Sequence, residues 1–116
     1  MVKSSEELAI NIAKVLDDKK GKDILVLDVR EITLVADYFV IVTGTSSLHV
    51  QSLAEHVMDT MREEHRIKPL NKEGLTEGNW VLVDYDSVVL HIFQGETRAF
   101  YNLERLWGEA REVEMS

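Results

Sequence analysis

The chain has 116 residues, 45% of them apolar, with one proline, six glycines and no cysteine. That length suits one domain burying roughly two-thirds of its unfolded surface, and the missing thiols exclude disulfide staples, cysteine catalysis and cysteine-ligated zinc while fitting a reducing compartment. The formal charge of -8, from 13 Lys plus Arg against 21 Asp plus Glu, repels phosphate backbones unless the few cations cluster on one face. It suits a basic protein partner through complementary fields, although the same acidity also serves plain solubility.

The amino terminus MVKSSEELAINIAKV lacks a long apolar core and carries two early glutamates. It therefore predicts neither a signal peptide nor a membrane anchor, and cytoplasm is the expected location. Ser4 with Glu7 forms a capping box for a first helix whose Leu8, Ile12, Val15 and Leu16 share a face with Ala9 and Ala13, and Gly21 is expected to end it. Ile24 to Val29 and Tyr38 to Thr43 are β-rich and too apolar to be half exposed, so both are expected as buried central strands. Arg30 to Asp37 connects them in no predicted form. Thr45, Ser46 and Ser47 cap a long helix to about Arg66, with the stripe Val50, Leu53, Ala54, Val57, Met58 and Met61. Ile67 to Asn79 reads as a surface loop.

Trp80 to Tyr85 and Val88 to Phe93 flank Asp86-Ser87 as a tight hairpin. A two-residue turn opposes Tyr85 to Val88, Asp84 to Val89, Val83 to Leu90, Leu82 to His91, Val81 to Ile92 and Trp80 to Phe93. One face, Val81, Val83, Leu90 and Ile92, is purely aliphatic. The other mixes Trp80, Leu82, Asp84, Val89, His91 and Phe93, and is either a covered layer with a satisfied polar pair or a binding surface. A last helix begins near Thr97 with Phe100, Leu103 and Trp107 packing inward. Arg98 sits in its first turn against the helix dipole, which points to a partner such as the Asp84 carboxylate or to plain solvation. Arg111 to Ser116 reads as a frayed acidic tail.

Chemistry finds little footing. His49 and His56 lie seven apart rather than at the zinc spacing HxxxH, and are expected to be exposed. Asp84 and Asp86 form a D-x-D, and Gly44 with Ser46 resembles the glycine-serine turn of nucleotidyltransferases, yet Asp86 is accounted for as a turn residue. Thr43 to Ser47 could cradle a phosphate, but capping explains the pattern. No catalytic residue, metal or cofactor is expected.

Three blocks carry a resemblance: ADYFVIVTG (Ala36 to Gly44), WVLVDYDSVVLHIF (Trp80 to Phe93) and RAFYNLERLWGEA (Arg98 to Ala110). In order and spacing they are similar to the ribosomal silencing factor (RsfS, or Iojap) family, over about Val26 to Ala110. Residues on the family pattern are Asp28, Ala36, Asp37, Tyr38, Phe39, Thr43, Gly44, Ser46, Trp80, Asp84, Val89, His91, Phe93, Arg98, Tyr101, Leu103, Glu104, Leu106 and Trp107. Leu48-His49 stands where the family has Arg-Gln, and Asp86-Ser87 where it has Gly-Asp. The resemblance implies a single α/β domain over 1–116, a mixed central sheet flanked by helices, nucleotidyltransferase-like without catalytic acids. It implies a non-enzyme that binds protein fourteen of the large ribosomal subunit, blocks small-subunit joining and represses translation, with little direct RNA contact. A nucleotide-transfer enzyme and a large-subunit assembly factor are the alternatives, and the free protein could pair as a homodimer. The expected partner-binding residues are Trp80, Leu82, Asp84, His91, Phe93, Arg98, Tyr101 and Glu104.

Overall fold

Helix α1 (Ser5–Asp18) starts where the sequence places it, because the Ser4 side chain accepts the Glu7 N–H at 3.1 Å, satisfying a donor that the helix itself cannot. The computed structural model describes residues 4–95, 97, 98, 108 and 110–114. Leu8, Ala9, Ile12, Ala13 and Leu16 are buried along one face, while Val15 is half covered. The stop differs in detail from expectation. Lys20, at φ 66, takes the left-handed position, and the Lys20 and Gly21 N–H groups close on the carbonyls of Asp17 and Leu16 at 3.1 and 2.7 Å, as in a Schellman ending. Gly21 is required for space: a Cβ there would lie 2.7 Å from Val42 Cγ2.

Strands β1 (Lys22–Asp28) and β2 (Tyr38–Gly44) pair antiparallel, with a register shift between Lys22 and Leu25. Of the two, only β2 is buried almost throughout; Ile24 and Leu25 in β1 are half covered and Lys22 and Asp23 exposed, which corrects the expectation of two fully buried strands. Helix α2 (Ser47–His65) is capped by Ser46, whose side chain accepts the His49 N–H at 3.1 Å, and ends on Arg66 in the left-handed region. Its stripe Val50, Leu53, Ala54, Val57 and Met61 is buried, with Met58 partly so. The segment read as a loop contains a short strand, β3 (Asn71–Glu73).

Strands β4 (Trp80–Asp84) and β5 (Val88–Gln94) form the hairpin in the expected register, from Trp80 opposite Phe93 to Asp84 opposite Val89. Tyr85 N–H closes the turn on the Val88 carbonyl at 2.9 Å, and Asp86 takes φ 71. Arg111–Val113, expected to fray, pair instead with β1 as strand β6. Arg111 donates to Asp28 at 2.8 Å beside Arg30, and these cations, Arg30 above all, hold the Asp28 carboxyl well below the usual carboxylate range. A three-residue polar strand is legible only through its neighbour.

Among the described residues the sheet runs β3-β4-β5-β2-β1-β6, with β2 and β5 parallel and the other pairs antiparallel. Helices α1 and α2 cover one face, where Val26, Val40, Val42, Val81, Val83, Leu90 and Ile92 meet their stripes. This mixed sheet with its flanking helices is the α/β architecture expected. A second apolar cluster occupies the opposite face: Leu27, Val29, Ala36, Phe39, Ile41, Val89 and Phe93, with Leu25, Trp80, Leu82 and Ala110 at its margin. Thr97 and Arg98 are helical. The packing expected of Phe100, Leu103 and Trp107 lies outside the described residues.

Candidate partner-binding face

Strand alternation puts Trp80, Leu82 and Asp84 of β4 beside Val89, His91 and Phe93 of β5, on the sheet face away from α1 and α2. Phe93 is 0% exposed and His91 6%, whereas Trp80, Leu82 and Asp84 are half covered. The face is thus layered. Phe93 and His91 form a floor with little or no exposed surface, and Trp80 and Leu82 stand at its rim.

The floor orients the rim. Trp80 stacks on Phe93 with ring centroids 5.0 Å apart, and its indole N–H donates to His91 Nδ1 at 3.2 Å. Phe39 meets the imidazole edge-on at 5.2 Å. The polar pair in this layer is therefore tryptophan with histidine rather than aspartate with histidine. Asp84 turns to the hairpin and accepts the Asp86 N–H at 2.7 Å. With Nδ1 accepting, His91 carries its proton on Nε2, which is buried and meets no hydrogen-bond partner among the described residues.

Burial pushes the His91 pKa down to about 4 from an ordinary 6.5, because a charged ring here would lose water and present a second N–H to the Trp80 indole. The unfolded chain therefore takes up a proton between pH 6.5 and about 4 that the folded chain refuses, so stability falls as pH drops through that window. His91→Phe should flatten the melting temperature across that window relative to the parent. The Asp28 contribution, depressed in the folded state, is present above its unfolded value of 3.8 and lost only below it, so the two are separable.

Arg98 does not meet Asp84. Its guanidinium donates from Nη1 to the Asp23 carbonyl at 2.7 Å and to Thr43 Oγ1 at 2.8 Å, at the opposite end of the strands, where Thr43 lies beside Phe93. A charged hydrogen bond to a carbonyl at the β1 irregularity resolves the dipole misfit and makes Arg98 a clamp on the sheet. Tyr101 and Glu104 lie outside the described residues.

One part of the surface carried no expectation. Ile32, Leu34 and Val35, in the β1–β2 connection, are exposed, Leu34 completely so at 103%. Their loop is fastened to the hairpin turn by Asp37 N–H on the Ser87 carbonyl at 2.8 Å, which sets the connection that carries three exposed apolar side chains beside that turn. The available signal was apolar residues in a segment with neither helix nor strand period to bury them.

The alternative chemistry finds its groups occupied. At the start of α2 the Thr45 N–H donates to His49 Nδ1 at 2.9 Å and the His49 N–H to Ser46, so the donors of a phosphate cradle serve as caps. His49, expected to be exposed, is half covered, and its Nε2 reaches the Lys19 carbonyl at 3.1 Å; His56 is half covered too. Asp86 is an exposed turn residue. Among the described residues no three His, Asp or Glu gather as a metal site.

Comparison with known proteins decides the lineage. A family model described as "Ribosomal silencing factor during starvation" matches residues 2–116. The chain belongs to the ribosomal silencing factor family. Ribosomal silencing factor RsfS of Bacillus subtilis is 47% identical over 98 residues, 84% of this chain and 82% of that protein. The factor from Halalkalibacterium halodurans is 39% identical over 112 residues, covering 97% and 95%. A crystal structure of a Chromobacterium violaceum protein superposes with a TM-score of 0.88 at 34% identity, covering 91% of this chain and 88% of that one. The chain is also similar to a mouse protein named "Mitochondrial assembly of ribosomal large subunit protein 1", 34% identical over 83% of this chain and 43% of that protein's length.

Proposed function

We propose that this silencing factor is a cytoplasmic, non-enzymatic repressor that docks on protein fourteen of the large ribosomal subunit and sterically blocks small-subunit joining. The observation that carries the reading is the rim of Trp80 and Leu82, held by an aromatic floor, on a molecule that also exposes Ile32, Leu34 and Val35 beside the hairpin turn. An apolar, pre-oriented patch on a domain of net charge -8 suits a basic protein surface: apolar anchors supply affinity and the acidic field supplies encounter rate. A steric block needs no reacting group. In the free protein the same rim would pair two copies.

Co-sedimentation tests this. The protein should pellet with purified large subunits and not with small ones, and should lower the yield of joined ribosomes when the two are mixed. Equal binding to both subunits, or strong binding to naked ribosomal RNA at moderate salt, would sink the reading. The mouse relative's name favours assembly of the large subunit as a second reading, which predicts accumulation of immature large subunits when the protein is removed. Nucleotide transfer predicts a thermal shift with ATP and magnesium by mass action and loss of activity in Asp86→Asn. We expect neither.

A further inference from the structure

A chain with an excess of carboxylates should line its recesses with acids as often as with bases. Among the described residues, the recess between the end of α2 and strand β3, about 590 Å³ in volume, does the reverse. Its charged lining is Arg62, Lys68 and Lys72, with no Asp or Glu among the lining residues, and its apolar lining is Met58, Ile67 and the exposed Leu70. Arg62 is partly neutralised by Asp59 at 3.2 Å and Glu63 at 3.7 Å. Lys68 and Lys72 are exposed, and neither makes an ion pair among the described residues. These cations never form a run in the sequence; the helix ending at Arg66 and the turn into β3 bring them together in space. That clustering is the condition under which an acidic protein can still hold phosphate.

The recess also has a defined relation to the partner-binding face. Lys72 pairs with Val83, and Asn71 and Glu73 with Asp84 and Leu82. Paired residues share a side of the sheet, so Lys72 points to the α2 side, and Leu82 and Asp84 to the other. One edge strand separates the basic recess from the apolar rim. A surface engaging Trp80 and Leu82 would therefore bring whatever lies beside it to Lys68 and Lys72.

Resting on the large-subunit reading above, we infer that this recess is a second contact, which seats a phosphodiester segment of ribosomal RNA flanking the protein docked at the rim. Lysine ammonium groups act as point-charge phosphate ligands, and on a ribosomal surface RNA phosphate is the abundant anion while the proteins are basic. Two open lysines on a domain of charge -8 are too few to hold naked RNA at moderate salt, so the contact adds to docking and does not replace it.

The test is the Lys68→Glu/Lys72→Glu double variant of the full chain, whose folding is checked by its melting temperature; both positions are exposed, so it should stay near the parent. Affinity for purified large subunits should fall at least tenfold, and the slope of log affinity against log salt should flatten by about 1.4–1.8, two phosphate contacts at roughly 0.7–0.9 each. Binding to isolated protein fourteen should not change. A photo-crosslinker installed through Lys72→Cys should label ribosomal RNA. Wild-type affinity and slope in the double variant would overturn the inference and leave the docking reading intact. Equal loss on isolated protein fourteen, or a crosslink to a ribosomal protein with none to RNA, would overturn it as well, the latter naming an acidic protein segment as the occupant. If the parent chain fails to bind large subunits at all, reading and inference fall together.

Discussion

Phe93→Ala should cost ~3–5 kcal/mol, the usual range for truncating a buried aromatic ring, a large part of a stability of order 5–15 kcal/mol. Phe93 has no exposed surface and carries the stacked Trp80 ring at 5.0 Å. Its removal opens a void beneath Trp80 and loosens the indole that donates to His91. Urea denaturation is the direct measure. A loss below about 1 kcal/mol would mean that the ring does not support the face, and the layered description would have to be abandoned.

Leu82→Glu should do the opposite: spare the fold and abolish function. Leu82 sits half covered at the rim, opposite His91, where a carboxylate can reach water yet would place charge at the centre of an apolar contact. Melting temperature should stay near the parent, while affinity for the large subunit falls by at least roughly tenfold, about 1.4 kcal/mol. Trp80→Ala should lose binding in the same way with a larger penalty in stability, because the ring packs against Phe93 and His91. Should Leu82→Glu unfold or aggregate, the rim belongs to the core. The binding surface would then have to be sought at Arg98, and at Tyr101 and Glu104 beyond the described residues.

The contrast between these residues shows where sequence pattern was informative. The hairpin was legible pair by pair, since period-2 alternation and a two-residue turn fix register locally, and both helices announced themselves through Ser4, Ser46 and their apolar stripes. Strands β3 and β6 were not, because Asn71–Glu73 and Arg111–Val113 are short and polar, and become strands only through β4 and β1. Alternation also placed the six residues of the mixed face together but could not say which were floor and which rim. That depends on what covers each strand, which periodicity does not encode. Arg98 illustrates the same limit: the dipole misfit was visible, but its partners include the Thr43 hydroxyl and the Asp23 carbonyl, the latter a backbone group at a strand irregularity that no side-chain pattern reveals. The basic recess was hidden for the related reason that its cations come from a helix end and an edge strand.

Among the described residues both margins of the sheet are three-residue strands, Asn-Lys-Glu in β3 and Arg-Glu-Val in β6. Unpaired backbone at a sheet edge is a template for runaway pairing between copies, and short, charged edges suppress it. A protein with an apolar rim on its sheet thereby avoids polymerising along its strands. Pairing of two copies through the face would by contrast close after two, and on the function proposed above it would compete with docking, so that self-pairing would act as a store of repressor.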